Sequence, residues 1–482
     1  MSNHHNRRPA AVGVCPYPAS VSLRLDVSRE LALERAADIV LRGWRSFDHA
    51  REVEPPIDDR LKELLEAALP DGPTNALEVL EDARRGLDES IAQTRPRYFA
   101  FVASSGLEIG VIGDLLASCF DANLAVWAAA ATEIEDQAVR WVAEFLGFPA
   151  AAGAFTSGGT VSNMTALAAA RERAIPGSRR RGLNGISATV YCSNEAHYSI
   201  ERAAEILGIG SDNVRALPID GNRRLVPEQV AEAIRVDRAA GRVPVAVVAT
   251  AGTTLTGAVD PIGELADVCH QAGVWLHVDG AYGLPAATAP STAHLFAGLD
   301  RVDSVTLDAH KWLFLPKACG VLLVRHREDL FDAFSHNESY IPHERTTGHM
   351  VDITLEYSRP FRALKLWLAF RAHGAEAFRE AVEDNLRQAR LLYELVEAHD
   401  ALEPLCGPPS LSIVPFRHVS TFEDLNPHNS RLVRTLQDDG RVWVAPATVD
   451  GKVGLRPCFV NFRTTDDDVR ALVAVAVELG AG

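Results

Sequence analysis

Nowhere in its 482 residues does the chain carry an apolar run near the roughly 20 residues that a membrane helix requires. The longest, such as Val243 to Thr250, fall far short, so no membrane span is predicted. Basic clusters are equally scarce. The formal net charge is -16, and only Arg179-Arg180-Arg181 interrupts the acidic background, which disfavours a nucleic-acid or anionic-lipid surface. The seven cysteines stand singly, without a CxxC pair, and so give neither a disulfide framework nor a structural zinc site. That usage is expected of reduced thiols in the cytoplasm. Met1 to Pro18 has no apolar core ahead of Pro16 and Pro18 and reads as a loose arm rather than a secretory signal. Internal repeats and low-complexity tracts are missing as well. With 47% hydrophobic and 23% charged residues, the chain can build a large core, which excludes a mostly disordered protein.

Three regions are predicted. Helical spacing from about Val27 to Ala68, closed by Pro70-Asp71-Gly72-Pro73, makes residues 1–90 an N-terminal helical arm suited to wrapping a partner. Residues 91–370 alternate helical patterns with short β-branched runs at Ala188 to Cys192, Val214 to Ile219, Val245 to Thr250, Val274 to Val278, Ser304 to Leu307 and Gly320 to Val324. Such alternation predicts an α/β domain with a mostly parallel, doubly covered sheet. In residues 371–482 a helix around Ala375 to His399 leads to strands at Ser412 to Phe416, Val442 to Val444 and Val453 to Phe462. Helices are expected at Asn429 to Gln437 and from Thr464-Thr465-Asp466 onward, giving a small C-terminal α+β domain.

Candidate chemistry sits where these strands end or helices begin. Thr156-Ser157-Gly158-Gly159-Thr160 opens a helix, and its free N–H groups and dipole could seat a phosphate; taken alone it is equally an ordinary capped helix start. No Lys follows the glycines, so it is not a Walker loop. His197 follows a strand and could stack on a planar group, move a proton, or merely cap a helix. Thr250, Thr253 and Thr254, in Ala249-Thr250-Ala251-Gly252-Thr253-Thr254, offer hydroxyls at the carboxyl end of the next strand, with an ordinary turn as the alternative. Asp279 ends an apolar strand and needs a partner there: a helix N-terminus, a protonated ring nitrogen or a metal, with no His/Asp spacing to favour the metal. Lys311, in Asp308-Ala309-His310-Lys311-Trp312, is placed to condense with an aldehyde, although a lysine capping a strand end is the plain alternative. In a parallel sheet these features converge at the carboxyl ends of the strands. A phosphate seat, a stacking ring, a carboxylate and an aldehyde-trapping amine together describe pyridoxal 5'-phosphate.

On these residues the chain resembles the group II pyridoxal-phosphate decarboxylases of fold type I (aspartate-aminotransferase-like) architecture, closest to the aromatic-L-amino-acid decarboxylases. The resemblance runs from Pro96-Arg97-Tyr98-Phe99-Ala100-Phe101 to Leu455-Arg456-Pro457-Cys458-Phe459-Val460-Asn461 and is most specific at Asp308 to Trp312, His197 and Asp279. It implies that Lys311 binds the cofactor's aldehyde, Asp279 holds the ring-nitrogen proton, His197 stacks on one face and Ala281 packs on the other. It places Gly158, Gly159, Thr160, Ser304 and His310 at the phosphate, Thr254 near cofactor and substrate, and Tyr340 as the loop residue that returns a proton to the substrate carbon. Asp308 stands where many relatives have Asn; a carboxylate cannot donate to a phosphate dianion, so it is expected to point elsewhere. The implied reaction is decarboxylation of an L-amino acid, aromatic favoured through Tyr98, Phe99, Phe101 and Trp127, in a homodimer with shared active sites. The alternatives are oxidative decarboxylation and deamination to an aldehyde with O2, another fold type I reaction, or a cofactor-free scaffold. Relatives making the aldehyde have altered the loop tyrosine or stacking histidine, and both Tyr340 and His197 are present.

Overall fold

The computed structural model describes residue 23 and residues 25–51, 57–336, 350–419 and 424–481. The chain divides into two units, Met1–Ser46 with Pro55–Ser90, and Phe47–Glu54 with Ile91–Gly482. The first contains the helices Arg29–Phe47, Asp59–Glu66 and Ala76–Asp88. Asp58 starts the second by accepting the Leu61 N–H at 2.7 Å, and Asn75 starts the third by accepting that of Leu77 at 3.0 Å. The third helix lies beyond Pro70–Pro73, where no helix was expected from the spacing.

In the second unit, seven strands form one sheet: β1 (Ala152–Thr156), β2 (Ala188–Ser193), β3 (Val214–Leu217), β4 (Val243–Thr250), β5 (Trp275–Asp279), β6 (Ser304–Asp308) and β7 (Gly320–Val324). Their order is β1-β7-β6-β5-β4-β2-β3, and β7 alone runs against the others. β1, β2, β5, β6 and β7 are buried along their whole length, which is why they read as apolar runs rather than alternating ones. β1 escaped the sequence reading because Ala152-Gly153-Ala154 lacks the β-branched signal; its residues are fitted to tight space instead. A Cβ at Gly153 would lie 2.7 Å from the Leu322 carbonyl oxygen on the neighbouring β7.

A second, antiparallel sheet has the order β10-β11-β9-β8, formed by β8 (Leu402–Pro404), β9 (Phe416–His418), β10 (Ala445–Val449) and β11 (Lys452–Arg456). The helices Leu425–Asp439 and Asp466–Gly480 accompany it, the latter begun by a reciprocal Thr465/Asp468 cap. The expected strands at Ser412 to Phe416 and Val442 to Val444 are displaced: ladder pairing begins at Phe416 and Ala445. The long helix Ala363–Glu397 joins the two sheets and is interrupted by Gly374, whose φ of 75° is non-helical. Among the described residues no helix is long and apolar enough to cross a membrane.

Candidate active site

The carboxyl ends of β1, β2, β4, β5 and β6 border a cavity of about 510 Å³, within the range of small-molecule and cofactor sites. Gly158, Gly159, Thr160, His197, Thr254, Asp279, Ala281, His310 and Lys311 all line it. Residues scattered over more than 150 positions thus meet because each follows a strand of one sheet.

At one side, β1 turns into the helix Gly159–Ala174, whose first N–H groups have no acceptor within the helix. Thr156 ties the turn down, its hydroxyl lying 2.7 Å from that of Ser162. Space is minimal: a Cβ on Gly159 would sit 2.9 Å from Ala281 Cβ and 3.2 Å from Asp308 Oδ2. Gly159→Ala should therefore overpack the turn by about 1–3 kcal/mol and weaken cofactor binding about tenfold or more, read by titrating the apoenzyme.

β6 runs directly into the short helix Ala309–Trp312. Trp312 is wholly buried, stacked on Tyr282 with ring centroids 5.2 Å apart, and its Nε1–H donates to Asn385 Oδ1 at 3.1 Å. This anchor leaves the preceding Lys311 directed to the cavity, with Nζ 3.1 Å from Asp308 Oδ2. His310 Nδ1 accepts the Cys319 N–H at 3.1 Å, and burial lowers the pKa of its ring. Asp279 is 6% exposed; its Oδ1 accepts the Ala281 N–H at 3.1 Å and its Oδ2 accepts Asn163 Nδ2 at 2.8 Å. Burial is also the largest influence on His197, holding its imidazole below the ordinary value against the opposing pull of Asp279.

Three expectations need correction. Ser304 is not at the phosphate turn: it starts β6, about 13 Å of strand before Asp308, and its hydroxyl is engaged by Trp275 and His277. Asp308 does not point away; it lines the cavity beside Lys311 because Lys311 supplies its counter-charge. Of the aromatic candidates, Tyr98 and Phe99 are core, stacked on Trp443 and packed on Phe459, and Trp127 stands outside this cavity, leaving Phe101 in its lining. Tyr340 lies outside the described residues.

Asn163, Ser199 and Arg456, which no motif singled out, also stand in the lining, as does Thr250 of the hydroxyl-bearing segment, whereas Thr253 does not. Arg456, at the end of β11, is 5% exposed and its buried Nη1 has no hydrogen-bond partner. Thr250 Oγ1 and Asp308 Oδ1 are likewise buried and unpartnered. A cavity so lined can hold a phosphate at the Gly158-Gly159 turn, a basic ring nitrogen at Asp279, an aldehyde at Lys311 and a carboxylate at Arg456.

Residues 58–419 match the family model described as the pyridoxal-dependent decarboxylase conserved domain. The chain belongs to this family. Among the relatives of this decarboxylase, the aromatic-L-amino-acid decarboxylase of Bacillus atrophaeus is 33% identical over 93% of this chain and 95% of its own length. The L-2,4-diaminobutyrate decarboxylase of Rhizobium meliloti (strain 1021) is 35% identical over 83% of this chain and 80% of its own. The crystal structure of Oryza sativa TDC with PLP and tryptamine superposes with a TM-score of 0.87 at 27% identity, covering 94% of this chain and 97% of that one. The protein is accordingly a fold type I, pyridoxal 5'-phosphate-dependent amino acid decarboxylase. The small cradle at Gly159 and the unpartnered buried polar atoms fit that cofactor, with the Asp308 carboxylate as the one unusual neighbour of its phosphate seat.

Proposed function

We propose that this decarboxylase converts an aromatic L-amino acid to its amine and CO2. The observation that carries the aromatic preference is the lining of the cavity: Phe101, 57% exposed, and Val102 are offered to a ligand. The two carboxylates there are both engaged, Asp279 by Asn163 and Asp308 by Lys311. Among the described residues no third one lines the cavity to receive the side-chain ammonium of a diamino acid. The similarity to the Bacillus enzyme supports the same reading.

In this reading Gly158, Gly159, Thr160 and His310 hold the cofactor's phosphate, Asp279 its ring nitrogen, and His197 and Ala281 its two faces. The bound cofactor supplies an electron sink for the pair left by the departing CO2. Lys311 would hold the cofactor through its aldehyde, and its amine, once the substrate's amine takes that place, would be free to release the product. Arg456 provides a buried charge for the substrate's carboxylate. Tyr340, by the family resemblance, returns a proton to the substrate carbon, giving an amine rather than an aldehyde.

We further propose a cytoplasmic homodimer. Ile112, Leu115, Leu116 and Phe120 recur at helical spacing on Glu108–Phe120 and are 39%, 55%, 40% and 82% exposed, an apolar stripe that a second copy would cover. Six described cysteines are free, in keeping with a reducing compartment.

Product analysis with a panel of L-amino acids tests the assignment. Phenylalanine, tyrosine or tryptophan should exceed 2,4-diaminobutyrate and glutamate in kcat/KM by about 100-fold or more. A diamino or acidic substrate at the top of the panel would overturn the aromatic preference, and stoichiometric aldehyde with peroxide would overturn the amine product.

A further inference from the structure

Beneath the cavity floor lies a row of polar side chains in an otherwise apolar sheet. Trp275, His277 and Asp279 alternate along β5 and so share one face. Ser304 on β6 pairs in register with His277. The helix Gly159–Ala174 lays Asn163 across them. All five are buried, His277 and Ser304 completely.

The direction of each link is set by its neighbours. Trp275 Nε1 can only donate, and it donates to Ser304 Oγ at 2.8 Å. At the other end, Asn163 Nδ2 donates to Asp279 Oδ2 at 2.8 Å and to Ser199 Oγ at 2.9 Å, using both of its hydrogens. A flipped amide would set its oxygen against the carboxylate, so the orientation is fixed. Asn163 Oδ1 must then accept from His277 Nε2, 3.0 Å away. Burial pushes His277 down to about 4, so its ring is neutral and Nδ1 is bare. Ser304, 2.8 Å from that Nδ1, donates its hydroxyl hydrogen there.

The second branch reaches the cavity. Ser199 Oγ accepts from Asn163 and lies 2.9 Å from His197 Nδ1. The Ser199 N–H donates to the same nitrogen at 3.3 Å, which makes Nδ1 an acceptor and turns the Ser199 hydroxyl hydrogen toward it. We propose that this one-way chain, from Trp275 through Ser304, His277 and Asn163 to Ser199, fixes His197 as its Nε2–H tautomer, presenting a hydrogen-bond donor and not an acceptor to the occupant of the cavity. Asn163 and Ser199 are thereby positioning residues that couple His197 to Asp279. Under the proposed aromatic-substrate reading, the group receiving that hydrogen bond belongs to the bound substrate or cofactor; the tautomer itself does not depend on which substrate is used.

The test is nitrogen-15 NMR of the histidine-labelled holoenzyme, with His197 assigned from the signals lost in His197→Gln. Wild type should show a bare Nδ1 and a protonated Nε2. Ser199→Ala should bring a measurable fraction of the proton onto Nδ1 and lower kcat/KM about tenfold, the worth of one hydrogen bond of about 1.4 kcal/mol. Cofactor absorbance should be retained, and Ser199→Thr should restore the wild-type signals. Asn163→Asp, close in shape, should draw the Ser199 hydroxyl hydrogen to itself and likewise protonate Nδ1. A wild-type proton on Nδ1, or ring signals unaltered in both Ser199→Ala and Asn163→Asp, would overturn the proposal. Failure of the aromatic assignment would appear in the substrate panel and leave these spectra unchanged.

Discussion

Lys311→Ala is expected to abolish turnover, with a loss on the order of 10⁴-fold, the upper range for removing one group that takes part directly in proton and bond rearrangement. Borohydride reduction of the wild-type holoenzyme, digestion and mass spectrometry should find the pyridoxyl group on the peptide containing Lys311. The chain has five lysines, so the assignment has few competitors. Lys317 is the instructive one, because burial lowers its pKa and makes a neutral amine more accessible. It is already engaged with Gln93 Oε1 at 2.8 Å and is absent from the cavity lining. Removing Lys311 also strips Asp308, 2% exposed, of its nearby ammonium, and an uncompensated buried charge is destabilising. Lys311→Arg separates the two effects: it keeps a cation beside Asp308 but cannot capture the aldehyde. Both variants should be inactive, with the arginine form the more stable to heat. A label on Lys317, or activity surviving in either variant, would refute the assignment.

Asp279→Ala should keep measurable cofactor binding through Lys311 yet lose turnover by about 10³-fold, comparable with removal of one preorganised electrostatic partner from an active site. Truncation would leave the donors of Asn163 and Ala281 without their acceptor, at a cost of about 1–3 kcal/mol for each unsatisfied group. Asp279→Asn retains the shape and one acceptor oxygen, enough for one of the two donors, while losing the charge. If the carboxylate acts through its charge, the two variants should lose kcat alike, with the alanine form, which leaves both donors unmet, the less stable of the two. Full activity of Asp279→Asn would show that the charge is not the working element.

What could be read from the sequence was whatever a strand delivers at its end. Asp279 and Lys311 each follow an apolar run, the Gly158-Gly159 turn is legible as a helix start although β1 before it is not, and a parallel sheet gathers such positions irrespective of their separation. Asn163 gave no such signal, because a single amide inside a helix rich in alanine resembles an ordinary surface residue until the helix is seen to cover the sheet. Arg456 was hidden for another reason: it comes from the small antiparallel sheet and reaches the cavity only through tertiary packing. Ser304 opens β6, so it belongs to the end of the sheet away from the cavity. The period-two pattern Trp275, His277, Asp279 was the available clue, since polar groups repeating along one face of a buried strand must bond to one another. Asp308 could not be judged from chemistry toward phosphate alone, because its ammonium partner lies three positions further on.

The register of β5 against β6 has an evolutionary corollary. His277 lies opposite Ser304 and Asp279 opposite Thr306, and successive side chains face opposite sides of the sheet. Inserting or deleting one codon between Trp275 and Asp279 would turn part of the polar row toward the other layer of helices, separating residues that now meet. A change of length is therefore better absorbed in surface loops than inside these two strands, where substitution keeps the register.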